Sequence, residues 1–172
     1  MNISDFSPKI FELFNKHWAL LTAGEGEQAN PMTISWGSLG TIWGMPGKGK
    51  PIVTVYVHPD RYTYRVLNDS EFFTVSFFPE QYRRQLGIMG SISGRDGEKI
   101  AKSGLTAKTL LHGVAYEEAV ATLVCRKIFQ QDIGKENMLS ELAEDWYGED
   151  AAHRLYIGEI ISFETKAGAE EL

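Results

Sequence analysis

A short segment in the middle of the chain carries the residue types that hold phosphate esters. Ser91 and Ser93 offer hydroxyl donors, and Gly94 lets a ligand approach the backbone closely. Arg95 adds a planar fork of N–H donors, and Lys99 adds a compact positive charge one helical turn later. Donors and positive charge in this combination suit a phosphate monoester, so the segment predicts a phosphate-binding loop.

The same segment also has the pattern of an ordinary helix start. Ser93 stands three residues before Asp96, which is the spacing of a capping box, so we expect a helix over residues 96–102 that Gly104 ends. The free N–H groups of such a start favour an anion, yet Asp96 and Lys99 could form only a surface ion pair. From these residues alone, a phosphate site and a plain capped helix remain open alternatives.

A second cationic segment, residues 58–63, follows a strand and begins a predicted helix. His58 ends the strand, and Arg61 and Thr63 could reach an anion at the helix start. A solvated helix start explains the same residues. The segment therefore adds candidate ligands without establishing a site.

Residues 30–36 form a strand pattern with small hydroxyl side chains on one face. Thr33 and Ser35 follow the period of two, and glycines come directly after the strand. The opposite face carries Met32, Ile34 and Trp36. This pattern fits a half-buried edge strand, and it equally fits a strand that lines a flat ligand.

Two segments match the residue types of nucleotide-binding motifs but lack the structural context that these motifs require. Residues 24–29 match a dinucleotide fingerprint, but Asn30-Pro31 and then β-forming residues follow, so the required helix cannot start there. Residues 44–50 match a phosphate loop up to its lysine, but Pro51 stands where a hydroxyl residue is required. The four histidines show no metal-ligand spacing, so we expect no metal site.

Composition places the chain among globular proteins and argues against some functions. The chain has 172 residues, 43% of them hydrophobic and 12% aromatic, which predicts a single domain over residues 1–172. A net charge of −6 argues against a nucleic-acid partner. The sequence shows no signal peptide and no apolar run of membrane-spanning length. With Cys125 as the single cysteine, these features predict a soluble protein of the cytoplasm.

The predicted elements are mainly strands. Six strands are expected at residues 18–22, 30–36, 52–58, 72–78, 119–133 and 156–163, and Gly158 indicates a bulge or a close backbone approach. Ser7 and Pro8 are expected to open a short helix whose apolar face carries Phe11, Phe14 and Trp18. Further helices are expected at residues 61–67, 81–88 and 137–146, the last capped by Asn137. Because the helices do not alternate regularly with the strands, we expect an antiparallel β-barrel with peripheral helices.

Taken together, the sequence resembles the flavin reductase-like family of FMN-binding split barrels, in its flavoredoxin-like branch. The resemblance covers residues 18–163 and rests on the order and spacing of its segments. These segments are Asn30-Pro31-Met32-Thr33-Ile34-Ser35-Trp36, Val55-Tyr56-Val57-His58-Pro59-Asp60-Arg61-Tyr62-Thr63, Phe73-Thr74-Val75-Ser76-Phe77-Phe78-Pro79, Ser93-Gly94-Arg95-Asp96 with Lys99, and His153 with Leu155-Tyr156-Ile157-Gly158-Glu159.

The resemblance implies an antiparallel split β-barrel that forms a homodimer and binds one FMN per subunit near the dimer interface. It places residues 32–36 along the isoalloxazine ring. It assigns the phosphate and the ribityl chain to Arg61, Thr63, Ser91, Ser93, Arg95 and Lys99. It adds Asn30, His58, Gly94 and Asp96 to the cofactor-binding residues, and it leaves the role of His153 open.

The implied activity is that of an NAD(P)H-dependent flavin reductase, in which hydride passes from the nicotinamide to FMN and no side chain acts as acid or base. A non-enzymatic FMN electron carrier reduced by a partner protein is the alternative. A split barrel that has lost flavin and serves as a binding module is a third. Three residues depart from the family pattern: Gly97 and Glu98 in the phosphate loop, and Met89, where a cysteine would fit this branch.

Overall fold

The computed structural model describes residues 3–97 and 99–172, apart from the side chains of Ser4 and Asp96. The strands are β1 Ala19–Ala23, β2 Asn30–Ile34, β3 Gly37–Ile42, β4 Lys50–Val57, β5 Phe72–Phe77, β6 Ala107–Leu110, β7 Gly113–Tyr116, β8 Ala121–Asp132 and β9 Arg154–Thr165. The α-helices are α1 Ile10–Leu13, α2 Tyr62–Asp69, α3 Arg83–Ser91, α4 Lys99–Ser103 and α5 Ser140–Trp146. Short 3-10 turns lie at Ile3–Asp5, Gly26–Gln28, Glu80–Tyr82, Gly94–Asp96, Lys135–Asn137 and Ala169–Glu171.

Seven strands form one antiparallel sheet in the order β2-β1-β5-β8-β9-β4-β3, and β6 pairs with β7 in a small second sheet. The two edge strands, β2 and β3, are consecutive in the chain, and only Ser35 and Trp36 separate them. The chain therefore passes directly from one edge of the sheet to the other, but the edges do not pair and the sheet is not closed. The predicted antiparallel β architecture with peripheral helices is confirmed.

The strand alternation places the core where the sequence indicated. Val53, Val55 and Val57 of β4 are fully buried, whereas Thr54 and Tyr56 between them are partly exposed. Phe73, Val75 and Phe77 of β5 join this core. A second cluster of buried side chains packs between the sheet, α3 and β7, and Met89 lies there, fully buried.

Gly158 is confirmed as a close approach of the backbone. A Cβ built on Gly158 would overlap the Phe73 ring and would lie 2.8 Å from the Cys125 Cβ. The register between β8 and β9 shifts between Lys127 and Phe129, opposite this glycine, so β8 is also bent there. Cys125 is completely buried, and burial raises the pKa of its thiol.

The predicted N-terminal helix is wrong in its start, and its predicted apolar face holds only in part. Helix α1 begins at Ile10, Lys9 is the residue before it, and no side chain caps it. Phe11 is 89% exposed, whereas Leu13 and Phe14 are buried. A helix of four residues is too short to present an apolar face over several turns. The path of the chain into β1 therefore decides which side chains are buried.

The other helix boundaries differ from the predictions by a few residues. The predicted capping box does not form as expected, because the Ser93 hydroxyl accepts a hydrogen bond from the Arg95 N–H and so caps the short turn over Gly94–Asp96. Gly97 follows with φ +70°, which glycine adopts without strain, and the described part of α4 runs from Lys99 to Ser103. Gly97 therefore terminates a turn and does not weaken a helix. Glu98 lies outside the described residues.

Helix α5 also begins later than predicted. Asn137 belongs to a 3-10 turn and caps nothing in α5, whose preceding residue is Leu139. Residues 24–29 form the turn of the β1–β2 hairpin, so neither nucleotide pattern opens a helix: Asn30 begins β2 and Lys50 begins β4. Within the described part of the chain, none of the helices combines the length and the apolar character that crossing a membrane requires.

Candidate functional site

A cavity of about 830 Å³, here called the main cavity, opens beside strand β2. It lies between β2, the end of β4, the start of α2 and the turn that follows α3. It brings together every predicted site residue whose side chain is described: Asn30, Met32, Thr33, Ile34, Ser35, Trp36, His58, Arg61, Thr63, Ser91, Ser93, Gly94, Arg95 and Lys99. The side chain of Asp96 lies outside the described part of the structure.

One part of this cavity is cationic. Lys99 lies at the start of α4, is only 7% exposed, and donates from Nζ to the Pro31 carbonyl oxygen at 2.6 Å. The Lys99 pKa is lowered to about 8, mainly by burial and to a smaller extent by the nearby positive charge of Arg61. Because an ammonium carries three donors and Pro31 takes one, two N–H groups remain for an anionic ligand.

Arg61 and Arg95 enter the cationic part from two other elements. Arg61 precedes the first turn of α2, where backbone N–H groups are free, and its side chain is exposed. Arg95 is exposed in the turn after α3, and its guanidinium lies 5.9 Å from the centre of the Tyr62 ring. Arg61 and the Arg95–Lys99 pair, which are distant from each other in sequence, therefore converge on one region.

A buried hydrogen bond fixes the floor beside these cations. Asn30 donates from Nδ2 to the Thr63 hydroxyl at 2.6 Å, which joins β2 to α2. A Cβ on Gly94 would overlap Asn30 Oδ1 and lie 2.7 Å from Tyr62 Cδ1, so only glycine fits there. Asn30 thus has a structural role in addition to lining the cavity, and Thr63 keeps its own hydroxyl hydrogen for a ligand.

The predicted division of residues 32–36 into two faces holds only as far as Ile34. Strand β2 ends there, and Ser35 and Trp36 lie in the connection to β3, where the alternation no longer applies. Thr33 donates its hydroxyl hydrogen to the Leu86 carbonyl oxygen at 2.6 Å, so this hydroxyl can only accept from a ligand. Ser35 and Trp36 are exposed at the cavity.

Another part of the main cavity is lined by aromatic side chains. The Trp36 ring lies 5.2 Å from Trp146 and 4.8 Å from His153, and His153 lies 5.1 Å from His58. His153 Nδ1 is 3.0 Å from the Tyr147 hydroxyl. The His153 pKa is lowered to about 4, mainly by burial and to a smaller extent by the charges of His58 and Arg61. Its imidazole is therefore neutral near pH 7.

Sequence reasoning missed several residues that line this cavity. Trp146 and Asp150 come from α5 and the segment after it, and Tyr56 comes from the partly exposed face of β4. No local pattern marks Trp146 or Asp150. The alternation of β4 could have indicated Tyr56, because it lies two residues before His58 on the same face.

The arrangement suits an elongated ligand with a phosphate and a flat ring. Arg61 acts electrostatically on both Lys99 and His153, so the cationic and aromatic parts adjoin. Charged donors can bind a phosphate, and neighbouring rings can stack on a planar group. In the described part of the chain, no three His, Cys, Asp or Glu side chains are grouped so that they could hold a metal ion.

Comparison with known proteins agrees with this description. Residues 11–172 match the family model described as Flavin reductase like domain. No curated protein matches the chain.

Several solved structures share the fold at low sequence identity. Flavoredoxin from Methanosarcina acetivorans is 20% identical with a TM-score of 0.64, and the match covers 87% of this chain and 68% of that one. An FMN-binding protein from Thermus thermophilus is 18% identical with a TM-score of 0.67, covering 94% and 78%. The NADH:FAD oxidoreductase of Streptomyces globisporus C-1027 is 16% identical with a TM-score of 0.66, covering 88% and 76%.

At these identities the likeness concerns the fold, and the split-barrel prediction is confirmed. The family match spans nearly the whole chain and includes every residue of the main cavity. The chain belongs to the flavin reductase-like domain family.

Proposed function

We propose that this protein is a flavin-dependent oxidoreductase, that its main cavity holds the FMN portion of the flavin, and that NAD(P)H is its reductant. The observation that carries the proposal is the convergence of Arg61, Arg95 and Lys99 on a cavity whose other part is lined by Trp36 and His153. A flavin needs both features in one site, because its phosphate is anionic and its ring system is flat. Membership of the flavin reductase-like family supports the same assignment.

The residues present fit this group. The volume of about 830 Å³ lies within the range of about 300–1,000 Å³ that is usual for sites of small organic ligands. Lys99 has two donors to spare, and Gly94, where a Cβ would overlap Asn30, borders the cavity beside it. The site therefore has the charged donors that a phosphate requires.

Each part of the cavity has its own role. Lys99, Arg95 and Arg61 bind the phosphate, and Ser93 and Thr63 add hydroxyl groups beside it. Residues 32–36 orient the ring through backbone groups and through Ser35. Trp36, Trp146 and His153 exclude water from the ring face. The flavin, when bound, supplies the redox chemistry by accepting hydride from the nicotinamide, so no side chain is required as an acid or a base.

The test is spectroscopic. The purified full-length chain, loaded with FMN, is made anaerobic and mixed with NADH or NADPH while the flavin absorbance near ~450 nm is followed. We expect rapid bleaching with at least one nicotinamide. A protein that binds FMN but stays oxidised would replace the reductase by a flavin carrier that a partner protein reduces. A protein that acquires no flavin would overturn the proposal entirely.

We further propose that two copies associate, and that they meet near the main cavity. Trp146 is 62% exposed and Leu139 is 66% exposed although both belong to the segment that borders the cavity. Leu142 of the same helix is also exposed, and a group of exposed apolar side chains on one segment is typical of surfaces that bind a partner. Light scattering on the purified protein measures its molar mass and so tests this proposal directly. A Trp146→Glu/Leu139→Glu variant should shift the measured mass toward that of one chain.

A further inference from the structure

Two histidines lie side by side in the main cavity. His58 directly follows β4 and His153 directly precedes β9, and the pairing of Val57 with Arg154 at the ends of these strands brings the two histidines together. Their ring centres lie 5.1 Å apart at an interplanar angle of 76°, and both rings line the cavity beside Trp36. The proposed function gives this pair no chemical role.

Each of the two rings is held through its Nδ1 atom. His58 Nδ1 lies 2.8 Å from a carboxylate oxygen of Asp60, a contact that requires a hydrogen on Nδ1, and the Asp60 backbone N–H lies farther from the same nitrogen, at 3.4 Å. His153 Nδ1 lies 3.0 Å from the Tyr147 hydroxyl. Among the described residues, neither Nε2 atom has a hydrogen-bond partner, and neither is buried. Both Nε2 atoms are therefore available to a ligand.

The pair can offer two N–H donors to one oxygen atom. A protonated His58 uses Nδ1–H for Asp60 and presents Nε2–H to the cavity. The Tyr147 hydroxyl has no other acceptor in the part of the chain that the structure describes, so it donates to His153 Nδ1. The hydrogen of the neutral His153 ring then lies on Nε2. A carbonyl oxygen has two lone pairs and accepts from both rings.

The proton on His58 indicates which ligand the pair serves. Transfer of hydride from a nicotinamide to a flavin uses no acid from the protein, whereas a quinone takes up a proton as well as a hydride when it becomes a hydroquinone. Asp60 is 66% exposed, so its contact with His58 connects the cavity to water that can restore the proton. A quinone is also flat and electron-poor, which suits stacking on the indole rings of Trp36 and Trp146.

We propose that the electron acceptor of this protein is a quinone, that His58 and His153 bind one of its carbonyl oxygens, and that His58 donates a proton to that oxygen. The Nε2–H bond of His58 breaks and an O–H bond forms. The hydride that the proposed function supplies completes the two-electron reduction of one quinone to one hydroquinone, and the flavin returns to its oxidised form. His58 regains its proton from water. This inference rests on the proposed function and adds the class of the acceptor and the residues that recognise it.

The first test measures binding without electron transfer. The full-length protein, loaded with oxidised FMN, is titrated with duroquinone and with the dimethyl ether of its hydroquinone, which has the same ring but no carbonyl group, and binding is followed by ligand-observed NMR. We expect duroquinone to bind at least about tenfold more tightly, because only it accepts from the two imidazoles. Equal affinities would overturn the assignment of the acceptor and leave the proposed function intact. Failure of the protein to bind FMN would instead overturn the proposed function.

Matched variants separate recognition from proton donation. His58→Phe should bind duroquinone at least about tenfold more weakly, and His112→Phe, which changes a histidine outside the cavity, should bind it as the wild type does. Wild-type affinity in His58→Phe would overturn the role of His58. The comparison of the two ligands uses the wild-type protein, so it decides the assignment even if this variant does not hold FMN.

His58→Asn keeps an N–H donor but has no proton to give. We expect it to bind duroquinone within about threefold of the wild type, while the reoxidation of the pre-reduced protein by duroquinone, followed at ~450 nm, slows at least about tenfold. A wild-type rate of reoxidation in this variant would overturn the proposed proton donation.

Discussion

Lys99 donates a hydrogen bond from its buried ammonium to the carbonyl oxygen of Pro31, at 2.6 Å. The bond joins the first residue of α4 to the second residue of the edge strand β2. The predicted phosphate loop and the predicted ring-binding strand are therefore in direct contact. Lys99 is thereby held at the cavity wall with its remaining donors available. Its position also makes its charge costly, because few water molecules reach it.

The Lys99 pKa of about 8 predicts a pH dependence of flavin binding. The phosphate binds the protonated lysine, so the affinity for FMN should fall as the pH rises from 7 to 9.5, by up to about tenfold for the loss of one charge-assisted bond. Riboflavin, which has no phosphate, should show no such fall. Isothermal titration at a series of pH values measures both.

A matched pair of lysine variants tests the origin of that dependence. Lys99→Met should remove the pH dependence and weaken FMN binding at pH 7, whereas Lys102→Met changes an exposed lysine of the same helix and should leave the profile unchanged. If Lys99→Met kept the wild-type profile, another group would be responsible for the titration.

Removing two of the cationic side chains together should weaken FMN binding more than removing Lys99 alone. We expect Arg95→Ala/Lys99→Ala to weaken FMN binding at least tenfold, because each charge-assisted hydrogen bond contributes ~1.5–3 kcal/mol. Arg84→Ala/Lys102→Ala removes the same charges from exposed positions outside the cavity and serves as the control. An unchanged affinity in the first variant would mean that the segment after α3 is only a capped turn.

Gly94 should tolerate no side chain. In Gly94→Ala the added methyl group would overlap Asn30 Oδ1, which cannot easily move because Asn30 is buried and bonded to Thr63. We expect a loss of ~1–3 kcal/mol in unfolding free energy, the usual cost of overpacking, together with a clear loss of flavin affinity. Urea denaturation and flavin titration measure the two effects.

Gly87→Ala is the control for that substitution. Gly87 lies within α3, and a Cβ there would meet nothing within 4 Å. Alanine in a helix interior should stabilise the protein by up to ~1 kcal/mol and leave flavin binding unaffected. Equal behaviour of the two alanine variants would contradict the packing argument for Gly94.

The sequence was most informative where a local pattern and the final packing agree. The alternation from Ile52 to His58 predicted the buried valines of β4, because one face of this strand lies on the core along its whole length. Gly158 was recognisable because a glycine inside a strongly apolar strand implies close contact, and Phe73 makes that contact.

Local capping signals were less reliable. Ser93 and Asp96 have the spacing of a capping box, but the left-handed backbone at Gly97 ends the turn before a helix can form. Helix propensity over four or five residues is too weak to oppose such a turn. The same weakness explains why Ser7 and Asn137 do not cap α1 and α5.

Convergence between distant segments lay beyond any local pattern. A local pattern joined Arg95 to Lys99 but left a plain capped helix open, and only the family resemblance connected Arg61 with them before the structure did. Trp146 gave no signal, because its contact with Trp36 joins α5 to the connection between β2 and β3. Periodicity reports which face of an element is buried, and it carries no information about which elements meet.

The last prediction concerns acid stability and His153. Its pKa is about 4 in the folded protein against an ordinary value of 6.5, because burial and the neighbouring charges of His58 and Arg61 disfavour the imidazolium. The unfolded chain therefore binds this proton more readily, and the free energy of unfolding should fall as the pH falls from about 6.5 to about 4. Below about pH 4 the contribution of His153 to the free energy of unfolding no longer changes with pH.

His153→Gln should remove that part of the acid sensitivity. We expect the variant to lose less stability than the wild type between pH 7.5 and pH 4.5, as measured by urea midpoints at both values. His112→Gln is the control, because His112 stacks on Phe72 at 4.1 Å and does not line the main cavity. If both variants followed the wild-type curve, His153 would be protonated as readily in the folded protein as in the unfolded chain. The lowered pKa of His153 beside Trp36 would then have to be abandoned.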